Sequence, residues 1–256
     1  MKRLLFIIAF LGCLYNSNAS NAKEIRAKEA IKQGNDFYSK NEFEQAAKKY
    51  QSVIDSGYTS SELFYNLGNA WFKLHNFKSA ILNYERAKLL NPGDKSIDFN
   101  LELSRSFVID KIEALPELFF VSWYKWLRNS FSTNGWAFLS VCAFLILLGS
   151  ALLYLLSYKM WLKKAGFWVG MICLVVSILS FVNGYQLQKI QSARNTAIVF
   201  TPTVTLKSSP AESGTNLFIL HEGTKVEIID AVGEWRNVSI ADGNKGWVKL
   251  ADIVVI

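Results

Sequence analysis

Histidine and cysteine are nearly missing from this chain. Its 256 residues include two histidines, His75 and His221, and three cysteines. Cys142 and Cys173 fall inside long apolar runs and Cys13 lies near the start. No soluble part therefore has cysteines to pair, which excludes a disulfide framework. A nucleophile working with an imidazole base, or a His/Cys metal cluster, also lacks its material. Neither a glycine-rich phosphate loop nor a dinucleotide fingerprint occurs. The expectation is a protein that is not an enzyme and holds no metal or cofactor. Charge is scarce too, at 19% of residues against 51% hydrophobic. That balance is too apolar for a disordered chain, and part of it must face lipid. The net charge of +7 is spread without a basic stripe: residues 97–194 carry nine basic against five acidic side chains, and residues 195–256 carry five against seven. A basic excess beside apolar runs suits membrane flanks and argues against nucleic acid as a partner.

What is present begins with Met1-Lys2-Arg3 and a short apolar run over residues 4–14. This is the pattern of an export signal over residues 1–22, with small residues setting cleavage after Ala19 or Ala22. Phe10-Leu11-Gly12-Cys13 admits a lipoprotein reading as well. Residues 129–158 and 165–188 contain no charged side chain. At ~1.5 Å per helical residue each crosses a ~30 Å hydrocarbon layer. Transmembrane helices are expected over 136–158 and 165–187, with Gly166 and Gly170 available for close helix contact. The loop over 159–164 holds Lys159, Lys163 and Lys164, which places it in the cytoplasm. The parts before and after the hairpin are then both periplasmic, on a bacterial inner membrane.

Residues 23–95 repeat themselves at an offset of 34: Gly34 with Gly68, Phe37 with Trp71, Ala46 with Ala80, Tyr50 with Tyr84. These residue types at these places resemble the tetratricopeptide repeat, in two copies. Asn91-Pro92-Gly93 stops the last helix. Two copies need a cap, and residues 96–116 are expected to supply a helix ended by Pro116. The resemblance implies a concave groove lined by the first helix of each copy: Lys28, Ile31, Asn35 and Tyr38, then Glu62, Tyr65, Asn66, Asn69 and Phe72. Its asparagines would bond an extended peptide and its aromatics would take side chains. A carboxylate clamp is not expected, because Ile31 and Ser96 stand where basic residues are needed.

Residues 117–135 are crowded with aromatics, including Phe119, Trp123 and Trp126 opposite a narrow polar stripe of Ser122, Lys125 and Asn129. They read as a helix lying in the lipid headgroup region, or as a docking surface for another membrane protein. After a linker over 188–195, residues 196–256 switch to short β-rich runs separated by Glu222-Gly223, Gly233 and Asp242-Gly243. Six such runs imply a small barrel. The run from Leu220 to Val226, Trp235 and Gly246-Trp247-Val248 resembles a bacterial SH3-like domain. Trp235 and Trp247 are packing residues or a ligand platform, the latter pointing to peptidoglycan as an alternative partner.

The full order, with Val108-Ile109-Asp110-Lys111-Ile112-Glu113, Pro116 and Trp126, resembles BatE-type proteins of the Bacteroides aerotolerance group. That resemblance implies a non-catalytic scaffold in an envelope-maintenance or stress-tolerance complex. Its implied company is von Willebrand A-domain proteins and a MoxR-type ATPase.

Overall fold

A computed structural model of the chain describes residues 25–256; the expected leader over 1–22 lies outside the described residues. The first four helices pair as α1 (25–39) with α2 (Phe43–Asp55) and α3 (Ser61–Lys73) with α4 (Phe77–Leu90). Each pair turns through one residue in the left-handed region, Asn41 (φ 63°) and His75 (φ 58°), again 34 apart. The turns share their hydrogen bonds: Glu42 N–H donates to Phe37 C=O at 2.9 Å, and Asn76 N–H to Trp71 C=O at 3.0 Å. The scarce His75 is thus a turn residue. Ser60 caps α3 through Leu63 N–H, and Asn76 caps α4 through Ser79 N–H. Within each copy the glycine meets the tyrosine of the second helix. A Cβ on Gly34 would lie 2.5 Å from Tyr50 Cε1, and one on Gly68 would lie 2.6 Å from Tyr84 Cε1.

Helix α5 (Lys95–Arg105) packs Ile97 and Leu101 on the second copy. The cap expected over 96–116 is shorter than its apolar content suggested. The chain leaves the helix after Arg105, turns over 106–109 and runs on as a strap without regular structure to residue 118. Lys111 Nζ folds back to donate to the carbonyls of Arg105 and Ser106, at 3.3 and 2.7 Å. Phe107 stacks flat on Phe77 at 4.3 Å. The apolar residues assigned to a helical face serve this strap: Val108 is buried in the repeat core, and Ile112 packs on the sheet.

Next come α6 (Phe119–Arg128), α7 (Thr133–Leu156) and α8 (Met160–Ala193). Helices α7 and α8 are long and apolar enough to cross a membrane. They pack as an antiparallel hairpin, with α8 starting inside the expected loop so that Lys163 and Lys164 lie on its first turns. Gly166 and Gly170 are buried at the contact, and a Cβ on Gly166 would stand 2.9 Å from Ser150 O. Ser140 and Ser177 exchange hydroxyl-to-carbonyl bonds of 3.0 and 3.1 Å. On α6, Phe119, Trp123 and Trp126 are exposed, while Tyr124 donates to Gln186 of α8 at 2.9 Å.

The C-terminal part is an antiparallel sheet of seven strands: β1 (Thr196–Val199), β2 (Thr203–Lys207), β3 (Asn216–His221), β4 (Lys225–Val232), β5 (Trp235–Ser239), β6 (Lys245–Lys249) and β7 (Ile253–Val255). Their order is β3-β2-β6-β5-β4-β1-β7. The expected barrel is not closed. Closure would pair β3 with β7, but β7 adds beside β1 and meets the repeat module instead. There Arg86 donates to the Val255 carbonyl at 3.1 Å, and Ile198, Phe200, Val254 and Ile256 join the core of Ile81, Ala87 and Leu101. Covering an edge this way protects it from further pairing.

Candidate binding groove

The groove forms where the inner faces of α1 and α3 meet. Asn35, Tyr38, Tyr50, Glu62, Asn66 and Asn69 line a cavity of about 320 Å³. Its geometry follows from the repeat. Tyr50 hydroxyl donates to Asn35 Oδ1 at 2.6 Å, and Tyr84 hydroxyl donates to Asn69 Oδ1 at 2.7 Å. Both tyrosines are buried, each pressed on the glycine that precedes its asparagine. Each asparagine therefore has its carbonyl oxygen occupied, which turns its amide N–H groups toward other acceptors. Asn69 is held a second time, by Asn100 Nδ2 from α5 at 2.9 Å. Asn35 has a longer second contact, from Asn66 Nδ2 at 3.5 Å.

Burial pushes the Tyr50 hydroxyl up to about 12, with Tyr38 and Glu62 adding to the shift. Tyr84 rises for the same first reason, with Tyr65 and Tyr38 adding. Both hydroxyls stay protonated as donors at neutral pH. Glu62 is the one charged side chain among the six lining residues. The cavity thus offers amide donors for backbone carbonyls and one carboxylate for an N–H group or a cation.

The other expected groove residues are placed differently. Lys28 is exposed on α1, and Ile31 is half-buried against the first-copy core. Tyr65 leans on Tyr84 at 5.9 Å and accepts from Asn100 Nδ2 at 2.9 Å. Phe72 sits edge-on to Phe77 and Phe107, at 5.7 and 6.0 Å, beyond the cavity end. Tyr50 and Asn100 were not expected at the groove. Tyr50 was legible: the Asn-to-Tyr spacing of 15 occurs in both copies, 35 to 50 and 69 to 84. Asn100 carries no such signal, because α5 departs from the repeat pattern.

On the sheet, Trp235 is 8% exposed with Lys249 Nζ 5.5 Å over its ring, and Trp247 is half-buried on β6. A platform there would rest on Trp247 alone. His221 is held away from any such role. Its Nδ1 and backbone N–H both lie 2.7 Å from the Asp110 carboxylate, which also accepts from Thr224 Oγ1 at 2.6 Å. Burial alone would raise the Asp110 carboxyl, but these bonds outweigh it and hold it below the usual range. The motif around Asp110 is thereby explained as the clasp that ties the strap to the sheet.

The tetratricopeptide repeat family matches residues 61–94. No curated protein matches the chain. Tetratricopeptide repeats are protein-interaction modules that present a concave surface, and the second helix pair with its groove face is one of them.

Proposed function

We propose that this protein is a membrane-anchored, non-catalytic adaptor whose repeat groove holds an extended segment of a partner protein. The observation that carries this reading is the repeated Gly-Asn/Tyr unit. Two asparagine amides, one from each copy, are pre-set by buried tyrosines within one cavity. Pre-set donors avoid the cost of ordering side chains on binding, which is where affinity for an extended backbone is otherwise lost. Tyr38 and Phe72 flank the asparagine row, and Lys28, Ile31, Glu62, Tyr65 and Asn66 complete the face. α7 and α8 cross the inner membrane, with Lys159, Lys163 and Lys164 at the cytoplasmic end. The repeat module and the sheet share the periplasmic side, a placement supported by the core they have in common. The exposed aromatic face of α6 lies in the headgroup layer. By its resemblance to BatE-type proteins the chain belongs to an envelope-maintenance complex with von Willebrand A-domain partners and a MoxR-type ATPase.

The test is photo-cross-linking in native membranes from a benzoylphenylalanine at Tyr38, with and without N35A/N69A. Capture of a discrete partner that is lost in the double variant, with the variant still folded by circular dichroism at the assay temperature, is the expected result. Equal capture by the double variant would move the interaction off the groove.

A further inference from the structure

A second and larger cavity, of about 1060 Å³, lies where the strap, α6, the last turns of α8 and the sheet meet. Six cations line it against three carboxylates. Three of the six are engaged: Arg105 and Lys225 by the buried Glu85, and Lys125 by Glu117. The other three, Lys111, Arg128 and Lys189, have no carboxylate partner among the described residues. Lys111 is bonded to main-chain carbonyls and Arg128 to the Asn129 amide oxygen. Of the carboxylates, Asp110 is spent on His221 and Thr224, while Glu227 accepts only from the neutral Asn195 amide and Glu113 has no cation partner among the described residues. Three unpaired cations thus face two unpaired carboxylates, a balance of one positive charge. The walls beside it are apolar, with Ile112, Ile190 and Ile240 among the lining residues.

Position decides the ligand. Lys189 follows directly on the 24 uncharged residues 165–188 of α8. In a spanning helix the first cation after such a run sits at headgroup depth. Lys125 and Arg128 come from α6, next to the start of α7. We infer that this cavity seats an anionic phospholipid from the surrounding membrane. Its phosphate lies among Lys111, Arg128 and Lys189, and its acyl chains run back into the bilayer beside the uncharged length of α8. This rests on the membrane reading above. A free anion would use the same cations but would not need them at headgroup depth. The volume, at the upper end of the roughly 300–1,000 Å³ range of small-ligand pockets, has room for a phospholipid headgroup.

The full chain, purified in mild detergent, is examined by native mass spectrometry with phosphatidylglycerol and with phosphatidylcholine. A retained phosphatidylglycerol adduct is expected. K111Q/R128Q/K189Q should weaken retention on the order of a hundredfold, about fivefold per charge. Glutamine keeps an N–H for the carbonyls that Lys111 now serves. K189Q alone, at an exposed side chain, should lose about fivefold without any folding risk. K159Q/K163Q/K164Q, which removes the same charge from the far end of the hairpin, should leave retention unchanged. Undiminished retention in the cavity variants, or equal loss in the loop variant, overturns the proposal. So does stabilisation by inorganic phosphate equal to that by the lipid, which would make the ligand a free anion. Release of the chain from native membranes by alkaline carbonate would instead overturn the membrane reading itself.

Discussion

Replacing Gly68 by alanine puts a methyl group into the ring of Tyr84. The new Cβ would stand 2.6 Å from Cε1, 2.7 Å from Cδ1 and 3.1 Å from Cζ. Tyr84 has no room to retreat. It is 1% exposed, packed in the core shared with Ile81 and Leu101, and tied at its hydroxyl to Asn69. Overpacking of this kind costs about 1–3 kcal/mol, and a lost neutral hydrogen bond adds roughly 1 kcal/mol. Against this, alanine gains about 1 kcal/mol over glycine inside a helix. The net destabilisation is about 1–3 kcal/mol, or roughly 2–12 °C in Tm at 2–4 °C per kcal/mol. Thermal unfolding of the full chain in detergent, followed by far-ultraviolet circular dichroism, reads it. In a Y84A background the three nearest contacts of the methyl are gone, so G68A should there be neutral or stabilising by about 1 kcal/mol. A G68A protein as stable as the parent, or an equal penalty in both backgrounds, would refute the glycine-tyrosine account of the repeat.

Y50F should loosen the groove more than Y84F, because Asn35 then keeps only the 3.5 Å contact from Asn66 while Asn69 keeps Asn100 at 2.9 Å. Cross-linking yield from Tyr38 should fall in the first variant and hold in the second. Tyr50 is also a pH sensor of folding: its folded pKa, about 12, exceeds the ordinary value of 10.0. The unfolded chain therefore loses its proton first, and stability present below pH 10 declines as pH rises toward about 12. Y50F should flatten the fall of Tm over that window. Glu85→Ala leaves Arg105 and Lys225 unopposed between the repeat module and β4; a cost of about 1–3 kcal/mol is expected from the lost charged hydrogen bonds. Limited proteolysis should then cut the strap over 106–118 faster, whereas an unchanged cleavage pattern would count against Glu85 as the tie. Cysteines at Ser96 and Ser213 should react with an impermeant maleimide from the periplasm and one at Met160 should not; the reverse pattern would invert the topology.

Features with a local or periodic cause were legible in the amino-acid order. The repeat shows because one backbone geometry recurs, so Gly34 and Gly68, Tyr50 and Tyr84 and the left-handed Asn41 and His75 recur with it at 34 residues. The two apolar helices show because length and lack of charge are properties of a single run. Six of the seven strands show through alternation and turn residues; β7, three residues at the end, is too short to alternate visibly. The tertiary structure alone decided what these pieces do to each other. Residues 107–112 have the apolar content of a helix, yet they leave the helix because Asp110 gains three hydrogen bonds from the sheet and Phe107 gains a stack on Phe77. The sheet stays open because β7 is better served by β1 and Arg86 than by the distant β3. The groove asparagines point as they do because Tyr50, Tyr84 and Asn100 reach them from other helices. Each of these outcomes depends on partners 15 to more than 100 residues away in the chain, where no local pattern carries the information.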